Sequence, residues 1–225
     1  MIKISNLFDY KAARRSEEGG SRHYLTESGQ KVASVTTILS KTKDPAPLIA
    51  WRKRIGEAAA NQITKESTDL GTLMHTHLEN YIKGEERPGG TNFGRVMATK
   101  MADQIIEHGL AHVDEVWGIE VPLMFDSFWA GTSDLVGIYK GEPAIMDFKT
   151  TIRPKTRERV DDYRLQTVAY AMAHDNMFGT KIRKLVIFMC SRDCQYQQFE
   201  FGMDDYEKDQ MDWLERVEQY YRDHT

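Results

Sequence analysis

The stretch that most constrains the fold of this chain is GTSDLVGIYKGEPAIMDFKTT, residues 131–151. Apolar residues on both sides of Lys140-Gly141 predict two largely buried strands joined by a tight turn. With the turn centred there, Asp134 and Asp147 face each other across the hairpin, with Cβ atoms about 5 Å apart. Two carboxylates that close repel each other unless a cation lies between them or one is protonated. The hairpin therefore predicts a charged site within a buried sheet.

Lys149 adds an ammonium group to the same face, because strand residues two apart point to the same side of a sheet. Oxygen donors of this kind suit Mg²⁺ or Mn²⁺ better than Zn²⁺. Two alternatives stay open at this point. A four-residue turn would shift the pairing by two residues, and an Asp-x-Lys pattern on a strand is also common as a solvated ion pair.

The composition is that of an ordinary globular protein. The chain has 225 residues, of which 40% are hydrophobic and 28% charged, enough for one sizeable core. The formal net charge of −4 means that a polyanion site would have to come from local clusters of basic residues. The sequence contains no apolar run long enough to span a bilayer and begins without a secretory signal, so we expect no membrane association.

The two cysteines, Cys190 and Cys194, are close in sequence and provide no disulfide framework. A reducing, intracellular setting is therefore expected. Two thiols also cannot supply the four ligands of an iron–sulfur cluster, so we expect none.

Secondary-structure signals divide the chain into four segments of a single domain. Residues 1–44 form a polar, basic arm and a short hairpin around Glu27-Ser28-Gly29, and residues 45–110 form a helical region. Residues 111–203 form a β-rich core with one helix, and residues 204–225 form a closing helix. This order predicts an α/β fold in which helices pack on a mixed central sheet.

Three helices are predicted in the helical region. The first follows Asp44 and covers residues 48–63, the second covers 67–82, and the third covers 93–108. A later helix is expected at 157–178. The inner positions predicted for the second helix are Leu70, Leu73, Leu78, Tyr81 and Ile82.

Four short motifs follow one another along the chain: GTLMH at 71–75, GTSD at 131–134, DFK at 147–149 and QTVAY at 166–170. Each is weak alone, but their order and the element types that carry them are specific together. The set resembles the PD-(D/E)XK nuclease superfamily and, within it, the RecB-like branch. The stretches SVTTILSKTKDPAPLIAWRKR and LQTVAYAMAHD are similar to the mitochondrial genome maintenance exonucleases and their small phage relatives.

The resemblance implies a restriction-endonuclease-like core and a role for individual residues. Asp134 and Asp147 are implied metal ligands, with the backbone carbonyl of Phe148 as a third donor. His75, in the GTLMH motif, is an implied ligand for a second metal, and Lys149 is the implied catalytic lysine.

Four further residues carry more than one interpretation. Glu120 matches an acid of the branch and either contacts the metal or does not. Glu79 lies four residues after His75 on the same helical face and either binds metal through water or orients the imidazole. Gln166 and Tyr170 share a helix face and position either the catalytic strand or a substrate phosphate, and Tyr170 could instead serve packing alone.

Basic residues cluster in sequence near these motifs. Such clusters are either solvated faces or phosphate contacts, and their adjacency to the motifs favours phosphate contacts. Trp51 or Phe93 would stack on unpaired bases. The predicted DNA-binding residues are Trp51, Arg52, Arg54, Arg153, Lys155, Arg157 and Arg159.

Taken together, the resemblance implies a DNA exonuclease that uses one or two Mg²⁺ or Mn²⁺ ions and prefers single-stranded ends. It also implies a role in phage or genome DNA processing in the cytoplasm of a bacterium or a phage-infected cell. The alternative is an endonuclease or a structure-specific repair nuclease. A non-catalytic DNA-binding module is a third hypothesis; it predicts a broken set of acids, whereas Asp134, Asp147 and Lys149 are all present.

Overall fold

The structure, a computed structural model, describes residues 2–26 and 28–224. The strands are β1 (Lys3–Ile4), β2 (Arg14–Glu18), β3 (Ser21–Leu25), β4 (Lys31–Ala33), β5 (Val113–Phe125), β6 (Trp129–Tyr139), β7 (Glu142–Thr151), β8 (Lys184–Ser191) and β9 (Tyr196–Phe201). The helices are α1 (Val35–Thr42), α2 (Ala46–Ile55), α3 (Glu57–Lys83), α4 (Phe93–His108), α5 (Asp161–Phe178) and α6 (Met203–His224), with 3₁₀ turns at Leu110–His112 and Arg157–Val160.

A six-stranded sheet forms the centre, with the strand order β1-β5-β6-β7-β8-β9. The β1–β5 and β7–β8 pairs are parallel and the other neighbours are antiparallel. A smaller antiparallel sheet has the order β2-β3-β4. The predicted α/β class, with a mixed central sheet flanked by helices, is confirmed.

Helices cover both faces of the large sheet. Side chains of α1, α5 and α6 pack with alternate residues of the central strands, among them Val136 and Ile145, in one core. Their neighbours Leu135 and Met146 belong to a second core formed with α3 and α4. This alternation follows from the two-residue period of a strand, and it places one helical layer on each side of the hairpin. Within the described ranges, no helix is long and apolar enough to cross a membrane.

The hairpin between β6 and β7 has the predicted two-residue turn. Lys140 and Gly141 have φ values of 49° and 83°, as required by the turn type that matches the twist of antiparallel strands. Leu135 pairs with Met146, which confirms the predicted register.

The helical region differs from the prediction in where its helices break. The predicted break between residues 63 and 67 is wrong, because α3 runs unbroken from Glu57 to Lys83. The polar side chains of Thr64, Ser67 and Thr68 bond to the carbonyl oxygens one turn earlier, at 2.8–3.0 Å, and so remain compatible with a helix. The break instead falls at Gly56, whose φ of 86° an L residue rarely adopts.

Tyr81 is also placed differently from the prediction. It is 43% exposed, whereas Leu70, Leu78 and Ile82 are buried as predicted and Leu73 is partly buried. The inner face of α3 uses His77 instead, which is 1% exposed.

The N-terminal arm contains structure that the sequence did not predict. Residues of β1 pair with β5, and β2 forms a hairpin with β3. The predicted strands on either side of residues 27–29 are present as β3 and β4, while Glu27 itself lies outside the described residues. Helix α1 was not predicted either, although Ser34 caps it by accepting a hydrogen bond from the Thr37 N–H at 3.0 Å.

The other helix boundaries agree more closely. Helix α4 has the predicted bounds, and α6 starts and ends within two residues of the predicted ones. The predicted helix at 157–178 begins as a 3₁₀ turn and becomes α5 only at Asp161. Pro45 occupies the N-cap position of α2, and the side chain of Asp44 before it accepts a hydrogen bond from the Ala46 N–H at 2.9 Å.

The turn conformation predicts a stability difference between two glycine substitutions. Gly141→Ala should lower the free energy of unfolding by about 1–2 kcal/mol, because a Cβ is strained in the left-handed region. Gly202→Ala is the matched control, since its φ lies outside that region and an added Cβ meets no neighbour within 4 Å. Urea denaturation of both variants measures the difference, and equal losses would contradict the turn assignment.

Candidate active site

Three carboxylates occupy one row across β5, β6 and β7. Strands β5 and β6 pair on both sides of Glu120, which places Glu120 opposite Asp134. The β6–β7 pairing ends at Leu135 and Met146, one position before Asp134 and Asp147. The row therefore lies where regular pairing of the three strands is interrupted.

Glu120 has an unusual backbone for a strand residue, with φ of 49°. Positive φ is uncommon for a residue other than glycine, and such conformations cluster at functional sites. The conformation interrupts the alternation of the strand, and Glu120 Oε1 lies 3.6 Å from His75 Nδ1. The motif comparison identified Glu120 as a candidate site residue, but nothing in the sequence indicates its backbone conformation.

His75 reaches the row from α3 on one side of the sheet. Its Nε2 lies 2.9 Å from the backbone carbonyl oxygen of Phe148 and donates a hydrogen bond to it. Nδ1 then faces the two carboxylates, 3.6 Å from Glu120 and 3.7 Å from Asp134 Oδ1. A histidine held through one ring nitrogen presents the other to a ligand. The Phe148 carbonyl, a predicted metal donor, here orients the imidazole.

His75, Glu120 and Asp134 could hold a metal ion together. One ligand atom from each lies within 4.8 Å of the others, and this is the one such group of three among residues 2–26 and 28–224. Carboxylate oxygens with one imidazole nitrogen are donors that divalent ions accept. The donor set therefore fits the implied ion. Asp147, a predicted ligand, is outside this group and lies on the next strand.

The surrounding acids change the charge state of His75. Burial by itself would lower the pKa of His75, but Asp134, Glu120 and Asp147 outweigh it and raise the pKa to about 9. The imidazole is thus protonated at neutral pH and serves as a cation between the carboxylates. A metal ion needs the neutral ring, so ion binding at this site would release a proton.

Asp134 is fixed by the neighbouring strand. Its Oδ2 accepts a hydrogen bond from the Phe148 N–H at 2.7 Å, and the side chain is largely buried. This bond gives a partner to an N–H group at the point where the β6–β7 pairing has ended. The other oxygen, Oδ1, is left facing His75.

Asp147, the member of the row on β7, forms an ion pair with Lys149. Asp147 Oδ2 lies 2.5 Å from Lys149 Nζ, and the Asp147 side chain is 1% exposed. Burial raises the pKa of Asp147 to about 6, with Asp134 adding to the effect and Lys149 opposing it. Burial would lower the pKa of Lys149, but Asp147 and Asp134 outweigh it and raise the pKa above its usual value. Lys149 is therefore an ammonium ion at neutral pH.

Helix α5 approaches from the opposite face of the sheet. Gln166 Nε2 donates to Asp147 Oδ1 and to the Tyr170 hydroxyl, both at 3.3 Å. Tyr170 in turn packs on Gly131 of the GTSD motif, where an added Cβ would lie 2.5 Å from a ring carbon. The glycine is needed for this approach. Burial raises the pKa of Tyr170 well above 10, so its hydroxyl stays neutral.

The structure adds Tyr24, which the motif analysis missed. Tyr24 lies on β3 of the small sheet, is 2% exposed, and its hydroxyl is 3.0 Å from Thr132 Oγ1. Thr132 belongs to the GTSD motif two residues before Asp134. The small sheet therefore contacts the strand that carries Asp134. A tyrosine on an unremarkable short strand gives no sequence signal of a contact between residues this far apart in the chain.

Glu79 is not part of the metal-capable group. Its carboxylate lies 3.4 Å from Lys83 Nζ one turn along α3. The structure therefore places it in a surface ion pair.

The predicted DNA-binding residues fall into three sets. On α2, Trp51 is half-buried, and Arg52 pairs with Glu57. Lys155 lies near the site, because the Tyr163 ring is 5.1 Å from Lys149 Nζ and 4.9 Å from Lys155 Nζ. The exposed side chains among the rest are Arg54, Arg153, Arg157 and Arg159; of these Arg157 is 3.0 Å from Asp205.

A mixed sheet flanked by helices, with an imidazole, three carboxylates and a lysine grouped where strand pairing is interrupted, defines a site able to bind a divalent ion. No protein-family model matches the chain. The chain is similar to mitochondrial genome maintenance exonuclease 1 of Mus musculus, at 28% identity over 201 residues, which are 84% of this chain and 59% of the relative. The Homo sapiens protein of that name is 25% identical over 173 residues, 72% of this chain and 50% of the relative.

These similarities confirm the predicted resemblance to that group of exonucleases and are consistent with a PD-(D/E)XK-like nuclease. The chain spans between half and three-fifths of the length of these curated relatives. Among solved structures, a candidate exonuclease from Eubacterium rectale overlaps 68% of this chain and 65% of its own, at 13% identity and a TM-score of 0.48. That overlap is too loose to carry an argument about the site.

The raised pKa of His75 predicts a pH dependence of stability in the presence of a chelator. Because the pKa of His75 is higher in the folded chain than in the unfolded chain, protonation of His75 stabilises the fold. This contribution is complete below the unfolded-state pKa of about 6.5 and is lost as the pH rises to the folded-state pKa of about 9. Between pH 6.5 and 9.5 the wild type should lose up to about 2–3 kcal/mol more than His75→Gln. Urea denaturation at both pH values measures this.

The control for that measurement is His112→Gln, which changes an exposed histidine. It should lose the same stability as the wild type over this pH range. If His75→Gln also loses as much as the wild type, His75 is not the group that titrates.

Proposed function

We propose that the chain is a metal-dependent DNA exonuclease with its catalytic centre at the row of carboxylates. The observation that carries this proposal is the grouping of His75, Glu120 and Asp134 next to the Asp147–Lys149 pair. Two relatives that are named exonucleases support it.

Hydrolysis of a phosphodiester requires an activated water and relief of the negative charge on the phosphate. A bound divalent ion would act as a Lewis acid, which lowers the pKa of a bound water and offsets the negative charge on the phosphate. In this proposal His75, Glu120 and Asp134 would hold the ion, and Asp147 adds a third carboxylate beside them. The Phe148 N–H keeps Asp134 in the orientation that leaves Oδ1 facing His75.

Lys149 has a defined part in the proposed reaction. Because it is protonated, it cannot accept the proton of the attacking water, and its role is to donate hydrogen bonds to the phosphate as negative charge develops. Its ion pair with Asp147 holds the ammonium in place before the substrate arrives. Gln166 fixes the other oxygen of Asp147 and so positions this pair.

The proposed enzyme prefers single-stranded DNA ends. Exposed aromatic side chains stack on bases without regard to sequence, and Phe93 at the start of α4 is 80% exposed. A setting in phage or bacterial DNA processing stays a prediction, since both relatives are mitochondrial genome maintenance exonucleases.

The proposal predicts a loss of DNA cleavage when the site is changed. Asp134→Asn should lower kcat by about 100-fold or more because it removes an anionic ligand, and Lys149→Ala should do the same because it removes charge stabilisation. Chelator should abolish cleavage by the wild type, and added Mg²⁺ or Mn²⁺ should restore it. Release of nucleotides from end-labelled single-stranded DNA measures each rate.

Two exposed residues provide matched controls. Asp204→Asn and Lys181→Ala make the same chemical changes on the surface and should cleave like the wild type. Linear and circular single strands, and 5′- and 3′-labelled ends, separate an exonuclease from an endonuclease. Cleavage that persists in chelator, or full activity of Asp134→Asn, would refute the proposal.

Tyr24 is predicted to act through the strand that carries Asp134. Tyr24→Phe removes only the hydroxyl that bonds to Thr132 and should lower kcat about fivefold, the worth of one hydrogen bond, with KM unchanged. Tyr81→Phe, on the exposed face of α3, is the control and should have no effect. A lower melting temperature with unchanged kcat would show that the Tyr24 hydroxyl serves stability alone.

A further inference from the structure

Two adjoining cavities lie along α3 next to Lys149. The first, called the polar pocket here, has a volume of about 200 Å³ and is lined by Ser67, Thr150, Lys155, Tyr163 and Arg192 among others. The second, called the apolar pocket, has a volume of about 610 Å³ and lies between α3 and the start of α4. Leu70 and Arg192 line both, so the two pockets are neighbours.

The polar pocket has the chemistry of a phosphate site. None of the described side chains that line it is acidic, while Lys155 and Arg192 are cations, and Ser67, Thr150, Thr151 and Tyr163 supply hydroxyl groups. Arginine and hydroxyl donors are the groups that bind phosphate oxygens in proteins.

The cations of this pocket are held by the surrounding backbone and side chains. The Arg192 N–H donates to the Thr151 carbonyl oxygen at 3.0 Å, and its guanidinium donates to Ser67 Oγ at 3.0 Å. The Lys155 backbone is fixed by Gln197, which accepts from its N–H and donates to its carbonyl oxygen, both at 2.8 Å. A site whose cations are already placed binds an anion at a lower entropic cost.

The polar pocket opens beside the proposed catalytic lysine. Thr150 follows Lys149 directly on β7, and the Tyr163 ring contacts both Lys149 and Lys155. A phosphate in the pocket would therefore be a near neighbour of the phosphate that is cut.

The apolar pocket suits an uncharged base. Leu70, Leu73, Met97 and Phe93 line it, and Phe93 is 80% exposed. Glu66 and Asp69 line it too and disfavour a phosphate there, although Glu66 lies 3.9 Å from Arg192 and Asp69 pairs with Lys65 at 2.5 Å. An aromatic ring open to solvent is a platform on which a base stacks.

We propose that the two pockets bind one nucleotide of single-stranded DNA adjacent to the scissile phosphate. Its phosphate lies in the polar pocket with Lys155 and Arg192, and its base stacks on Phe93 in the apolar pocket. This inference rests on the proposed function and names the part of the substrate that Arg192 and Phe93 recognise, neither of which belongs to the metal-capable group.

The test measures binding without cleavage. Fluorescence anisotropy of a labelled 12-nucleotide oligo(dT) in chelator, at several NaCl concentrations, gives the affinity and its dependence on salt. Arg192→Gln should weaken binding and reduce the salt slope by about 0.7, because one phosphate contact of a single strand is lost. Phe93→Ala should weaken binding about fivefold or more and leave the salt slope unchanged, because a stacking contact carries no charge.

Further variants guard against misfolding and unspecific charge effects. Arg192→Lys keeps the charge and should keep the salt slope, and Lys155→Gln should repeat the effect of Arg192→Gln without touching the contact between Arg192 and Ser67. Arg222→Gln and Phe128→Ala change exposed residues away from the pockets and should bind like the wild type. Melting temperatures identify any variant that fails to fold.

The outcomes separate this inference from the proposed function. If the wild type cleaves DNA while Arg192→Gln, Lys155→Gln and Phe93→Ala all bind oligo(dT) like the wild type, the pocket assignment is refuted and the nuclease proposal stands. If the variants bind as expected while the wild type cleaves nothing with Mg²⁺ or Mn²⁺, the pockets bind DNA and the nuclease proposal fails.

Discussion

The repulsion among carboxylates on adjacent strands is the constraint around which this structure is arranged. Glu120, Asp134 and Asp147 lie in one row across three neighbouring strands, where opposed like charges are destabilising. Two cations offset this repulsion, His75 from the α3 layer and Lys149 from the strand itself. The raised pKa values of both cations have the same origin, since each is held in its charged form by the acids around it.

Regular strand pairing is interrupted at this row, and side chains bond to the free backbone groups instead. The Phe148 N–H bonds to the side chain of Asp134, and the Phe148 carbonyl accepts from His75. On β5 the chain passes through a left-handed conformation at Glu120. Such a backbone is held in place only when the surroundings fix it from several directions. Here α3 and α5 pack against the two faces of the sheet, and His75 of α3 and Gln166 of α5 both bond to residues of β7 in this row.

The sequence allowed the hairpin and its register to be predicted because both depend on local signals, the Lys140-Gly141 turn and the alternation around it. The unpredicted parts depend on contacts distant in sequence or on backbone states that no residue type marks. A glutamate with positive φ, such as Glu120, looks like any strand residue in the sequence. The Tyr24 contact with the GTSD strand joins two sheets. Helix α3 continues through residues 64–66, which the prediction left between two helices, and its Ser and Thr side chains bond to the preceding turn.

Charge balance gives the divalent ion of the proposed nuclease a further role at this cluster. At neutral pH three carboxylates face one imidazolium and one ammonium, which leaves one net negative charge on the cluster formed by Glu120, Asp134, Asp147, His75 and Lys149. A DNA phosphate would bring a further negative charge and be repelled. Exchange of the His75 proton for a divalent ion would remove one positive charge and add two, so the cluster would become neutral and would no longer repel the phosphate. The His75 imidazolium thus offsets the repulsion among the acids when no ion is bound. On ion binding His75 would lose its proton and become a neutral ligand, whereas Lys149 would stay charged.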